Sequence, residues 1–148
     1  MSDHIQKTVE IAAPLDEVWS ALTDSKKFGE WFKVRLETPF RVGETCRGHM
    51  TFPGAEHMVM EVKVEAIEPK TRFAYSWHPY AVKPDIDYSG EAPTLVEFRL
   101  APFGQGTRLI VTESGFDRLP VHRRAEALEM NTRGWGAQME NIKAYAER

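Results

Sequence analysis

Long apolar runs, disulfide partners and an excess of either charge are all missing from this 148-residue chain, and each gap closes off a class of function. No stretch comes near the ~18 consecutive apolar residues of a membrane-spanning helix, and Met1 to Lys7 lacks the apolar core of a signal peptide. A cytoplasmic protein with no membrane insertion is therefore expected. One cysteine, Cys46, excludes an intrachain disulfide and any cysteine-only metal site, and it reads as a small buried residue on a strand. A net charge of −3 gives no basic footprint, so nucleic acid is not an expected partner. His49, His57, His78 and His122 are scattered without the helical or strand spacing of a metal pair, so neither metal nor cofactor is expected. Gly104 and Gly106 lack the third glycine and the strand-to-helix context of a phosphate-binding loop.

What is present organises itself around the final stretch, Leu119 to Arg148. From Ala125, the residues Leu128, Thr132, Trp135, Met139, Ile142 and Ala146 recur at steps of three and four, the spacing of one helix face. Arg124, Glu126, Arg133, Glu140, Lys143 and Glu147 fall on the other side, which predicts a long helix lying across a surface. Gly134 and Gly136 bracket Trp135, each costing about 1 kcal/mol relative to alanine. Close approach of the helix to its neighbours, with Trp135 as anchor, is one reason for them, and a kink is the other.

Upstream the pattern is mostly strand. Ile5 to Ala12 alternates; Pro14 followed by Asp16 and Glu17 then starts a short helix with Val18, Trp19 and Leu22 inward. Thr23-Asp24-Ser25 caps a second brief helix through Phe28 to Trp31. Strands are predicted at Val34–Thr38, Thr45–Phe52 and Met58–Ile67, the last with Met58, Met60, Val62, Val64 and Ala66 on one face. Phe73, Tyr75 and Trp77 share a face of the next strand, and Thr94–Leu100 pairs with Thr107–Ser114 across Phe103 to Gly106. Between them, the proline-containing segment from His78 to Pro93, with Tyr80 and Tyr88, is long enough to be a lid or a rim. The order β-α-α-β-β-β-β-β-β-α predicts one α+β domain over residues 1–148, a curved antiparallel sheet wrapped around a long C-terminal helix.

Particular residues carry a resemblance. Val9 to Pro14, Glu17-Val18-Trp19, Lys27 to Phe32, Thr107-Arg108-Leu109, Glu113 to Phe116, and Gly134-Trp135 with Met139 and Ile142 look like the START-like (SRPBCC) superfamily. More narrowly they resemble bacterial homologues of the C-terminal domain of the activator of the ninety-kilodalton heat-shock chaperone's ATPase. The resemblance implies the helix-grip fold with an apolar cavity between sheet and long helix. It covers ligand carriers, polyketide cyclases and chaperone partners alike, so fold does not choose the function. Asn131 stands where many such relatives carry a histidine.

The candidate cavity residues are Trp31, Met58, Met60, Tyr75, Trp77, Phe98, Val111, Glu113, Trp135 and Met139. Methionines and rings accept guests of varied shape, which suits a small hydrophobic or aromatic ligand, and core packing alone is the competing account. Glu113 is the weak candidate for catalysis, because it shares strand parity with Leu109 and Val111. A buried carboxyl there could act as a base, but the favoured reading is that Glu113 lies near the strand end and reaches water or a backbone donor. A noncatalytic ligand-binding domain is the leading expectation. The alternatives are a cyclase or hydratase using Glu113 with Tyr75 or His78, and a module for the heat-shock chaperone; assembly is as a monomer or homodimer.

Overall fold

The computed structural model describes residues 4–79 and 86–148; Tyr80 and Pro84 of the long segment, and Met1 to Asp3, lie outside them. β1 (Ile5–Ile11) leads into α1 (Leu15–Thr23) and α2 (Ser25–Phe32), and six strands follow: β2 (Val34–Leu36), β3 (Thr45–Met50), β4 (Val59–Glu68), β5 (Arg72–Trp77), β6 (Thr94–Phe103) and β7 (Gly106–Ser114). A turn of 3-10 helix at Phe116–Arg118 joins β7 to α3 (Val121–Ala146), which is shorter at both ends than Leu119 to Arg148. The seven strands form an antiparallel sheet in the order β1-β7-β6-β5-β4-β3-β2, and the helices cover its concave face. This is the expected α+β helix-grip architecture.

Local chemistry explains the joints. The Asp24 carboxylate accepts from the backbone N–H groups of Lys26 and Lys27 at 2.9 and 3.2 Å, capping α2 as its residue type predicts. Gly115 takes φ of 101°, a left-handed turn that an L side chain resists, and so lets β7 leave the sheet toward α3.

One inward residue differs from the alternation. The register between β4 and β5 slips between Val64 and Ala66, so Val64 faces Tyr75 while Ile67, not Ala66, faces Phe73. The bulge adds a residue to β4 and reverses its parity, placing Ile67 against the core. The buried stripe of α3 also begins elsewhere: Ala127 is buried and Ala125 exposed. Nor is the far side of α3 all in water. The Lys143 ammonium donates to the Glu10 carbonyl at 2.9 Å, and a Glu147 oxygen accepts from the Ala12 N–H at 2.7 Å. Those two contacts tie the end of α3 to the end of β1.

Candidate functional site

Beneath the middle of α3, the inner face of the sheet carries a chain of rings. Phe73, Tyr75 and Trp77 project from β5 at period two, as expected, and Phe98 stands beside them on β6. Trp135 descends from α3 onto this row, with ring centroids 5.6 Å from Phe98 and 5.8 Å from Trp77, and Phe32 at the end of α2 closes the circle at 6.2 Å. Edge-on and tilted geometries such as these suit the ring quadrupoles.

At the centre of the rings lies a carboxyl with no water contact. Glu113 is fully buried on β7, and four side chains from three other elements close on it. Trp135 Nε1 donates to Oε1 at 2.8 Å and Asn131 Nδ2 to the same oxygen at 3.0 Å; Trp77 Nε1 donates to Oε2 at 2.8 Å and Thr94 Oγ1 to it at 2.5 Å. Indole and amide N–H groups can only donate, so both oxygens are occupied as acceptors. The favoured reading of a strand-end carboxylate in contact with water or a backbone donor is thereby corrected. Glu113 joins helix to sheet, as its four donors are spread over α3, β5 and β6.

Tyr75 lies deeper, fully buried, and its hydroxyl has no hydrogen-bond partner among the described residues. Burial first, and the neighbouring Glu113 second, push this phenol well above its ordinary value. A hydroxyl so held does not give up a proton at neutral pH. His78 follows the end of β5 and borders the same hollow as Trp77, with Nδ1 buried and unpartnered among the described residues.

That hollow is a groove of about 480 Å³ between β3–β4 and α3, open at its mouth. Of the ten expected cavity residues, Met58, Met60, Trp77 and Trp135 form its wall. Glu113 sits behind the two tryptophans, and Trp31, Tyr75, Phe98, Val111 and Met139 are packed into the core beyond them. Residues not among the ten also line the wall: Phe32, Met50, Phe52, Val59, Glu61, His78, Met130, Asn131, Gly134 and Gln138. Their signal was compositional, since four of the six methionines in the chain gather here. The two glycines of α3 are not close-approach residues, because a Cβ at Gly134 or Gly136 would meet nothing within 4 Å. Gly134 instead leaves the groove wide.

A larger hollow of about 720 Å³ lies on the outer sheet face beside residues 86–93, with Arg47, Glu61, Lys63 and Asp87 in its wall. The groove is the stronger candidate, being apolar with few polar atoms, as small-molecule sites generally are. The described part of the 78–93 segment is fastened to α3: Arg123 donates to the Pro79 carbonyl at 2.8 Å, pairs with Glu91 at 2.8 Å and stacks on Tyr88. Among the described residues no group of His, Cys, Asp and Glu side chains could hold a metal, and no helix is long and apolar enough to cross a membrane.

Comparison with known proteins places this geometry. No protein of curated function matches the sequence. Among solved structures, DynU16, a putative protein in the dynemicin biosynthetic locus, aligns over 98% of this chain at 24% identity and a TM-score of 0.75. The chain spans only 47% of DynU16, about half its length. Protein MLL2253 from Mesorhizobium loti aligns at 25% identity over 96% of this chain and 95% of its own, with a TM-score of 0.74. The Aha1 dimer from Colwellia psychrerythraea, solved in solution, aligns at 18% identity over 99% and 97%, with a TM-score of 0.73. The sequence pattern of one family extends from residue 12 to residue 147, nearly the whole fold just described, and the chain therefore belongs to the Activator of Hsp90 ATPase homolog 1-like proteins.

Proposed function

We propose that this domain binds a small apolar or aromatic molecule in the groove under α3 and does so without catalysis. The observation that carries the reading is the groove itself, about 480 Å³ walled by methionine and aromatic side chains and open to solvent. A volume of that size suits a small organic ligand, and polarizable thioethers adapt to its outline. A molecule that loses roughly 300 Å² of apolar area gains about 7 kcal/mol at 25 cal/mol per Å², before ordering costs are subtracted. That gross figure corresponds to a Kd of about 10 μM as the tight limit, reached without any covalent step.

The absence of catalysis is supported by Glu113, whose oxygens are engaged by four protein donors, and by Tyr75, whose hydroxyl is sealed in the core. A general base needs a free lone pair within reach of the substrate proton. Neither group offers one to the groove.

The test is a thermal-shift and native mass-spectrometry screen of lipids, flavonoids and aromatic acids, run on the natural chain and on Gly134→Trp. One chemical class should raise the melting temperature of the natural chain, remain bound in the mass spectrum, and lose its effect when the indole fills the groove. No response to any class, or an equal response in the variant, overturns the reading. A heat-shock chaperone as partner is supported by the family description alone. A homodimer is supported by the dimeric Colwellia relative and is read directly by sedimentation.

A further inference from the structure

Asn131 occupies the groove wall between Met130 and Gly134, and Glu113 fixes which way its amide points. The Glu113 oxygens already accept from two indole N–H groups, so the group Asn131 turns toward them must be its NH2. Its carbonyl oxygen is therefore directed away from Glu113, and among the described residues nothing donates to it. One turn further along α3, Gly134 leaves open space where any other residue would place a Cβ. An acceptor of fixed orientation thus stands beside a gap in an otherwise apolar wall.

The charge of the wall narrows the chemistry further. Among the described residues it holds no lysine or arginine, and the one carboxylate among them is Glu61, 3.6 Å from Arg47 of the neighbouring strand. A ligand carboxylate would enter without a cation to meet it and would leave its water behind, an unfavourable exchange. His78 Nδ1, also buried in this wall and without a partner among the described residues, can donate or accept according to tautomer. Glu61 also accepts only, but it is paired with Arg47; among the described residues of the wall, the amide oxygen of Asn131 sets the one-way requirement that no protein donor meets.

We propose that the groove selects an uncharged ring-bearing molecule that carries a hydrogen-bond donor, a phenolic hydroxyl or ring N–H, and that Asn131 Oδ1 reads that donor. Glu113 is the positioning residue that holds the amide in this orientation. The proposal rests on the groove being a ligand site and adds to it the polarity of the ligand.

Three probes of one shape separate the two statements: 2-naphthol, naphthalene and 2-naphthoate, titrated calorimetrically at neutral pH. Naphthol should bind about fivefold or more tightly than naphthalene, the effect of one net hydrogen bond, and naphthoate weakest of all. In Asn131→Leu, similar in size but without an acceptor, the ratio of naphthol to naphthalene affinity should fall to about one, whatever the change in absolute affinity. Circular dichroism and the melting curve establish that the variant is folded, and the ordering of the three probes on the natural chain is a test that needs no variant. Equal binding of naphthol and naphthalene, a preference for naphthoate, or a naphthol preference that survives in Asn131→Leu overturns the donor requirement while leaving the groove as a binding site. Failure of all three probes to bind overturns both.

Discussion

The two halves of α3 rest on the sheet in different ways. From Met139 onward the helix is pressed against β1, α1 and α2, with Met139 and Ile142 buried, Lys143 and Glu147 bonded to the backbone of Glu10 and Ala12, and Tyr145 bonded to Glu30 of α2. From Met130 to Gln138 one flank is equally closed, with Trp135 and Asn131 locked onto Glu113, while the other flank faces the groove. The same helix is thus a clamp at one end and a cover at the other. The difference follows from what lies beneath: α3 packs on β1 and α1 at the clamped end, and among the described residues neither α1 nor α2 packs substantially on β3 or β4. Rigidity sits where the sheet is fully covered, and a pocket remains where coverage stops.

Removing the pin on the closed flank should collapse this contrast, and it is the largest effect expected. Glu113→Ala strips a shared acceptor from Trp77, Thr94, Asn131 and Trp135, leaving buried donors unpaired at about 1–3 kcal/mol each. Stability measured by urea unfolding should fall by on the order of 4 kcal/mol or more. Trp135→Ala comes next, at about 3–5 kcal/mol, because its 3% exposed ring contacts Phe32, Trp77 and Phe98 at once. A negligible loss in either would mean that α3 is not docked through these groups.

The open flank should respond in the opposite sense. Gly134→Ala adds a methyl where there is room for it and removes the helical penalty of glycine, so stability should rise by about 0.5–1 kcal/mol in the same assay. Tyr75→Phe, deep in the filled part of the core, should lie within about 1 kcal/mol of zero at neutral pH, since the hydroxyl it removes has no partner among the described residues. Above pH 10 the two chains should separate. The folded phenol titrates well above its ordinary value, so its contribution to stability is complete below the unfolded value near 10 and is lost as pH rises beyond it. The natural chain should weaken there more than Tyr75→Phe.

These contrasts also mark where sequence patterning reaches. Alternation and the three-four repeat were enough for the element order, the helix across the sheet and the inward parity of Glu113, because each depends on neighbours within a few residues. The donors that hold Glu113 lie 18 to 36 residues away along the chain, on β5, β6 and α3, and no local period links them. The bulge after Val64 was equally silent, since one added residue leaves composition unchanged while exchanging Ala66 for Ile67. Gly134 was legible as unusual but not in its purpose. A missing side chain reads the same whether the space is taken by a neighbour or left open, and only the packed structure tells them apart.

The smallest expected effect tests the clamp at its end. Glu147 accepts from the Ala12 N–H and pairs with Lys143, and these contacts, the backbone bond foremost, hold its carboxyl below the ordinary value of 4.5. A depressed folded value means that the contribution is present above the unfolded value and fades as pH falls through the folded one. Glu147→Gln should therefore be less stable than the natural chain at neutral pH, and the gap between their melting temperatures should close in acid. Added salt should weaken the Lys143 share and spare the Ala12 share, because screening acts on exposed charge pairs far more than on a short bond to a backbone donor. Glu129→Gln serves as the comparison, since its exposed pair with Arg133 ties α3 only to itself and should matter by less than about 0.5 kcal/mol. If the two substitutions behave alike at every pH, the end of α3 is not held to β1, and both halves of the helix are covers.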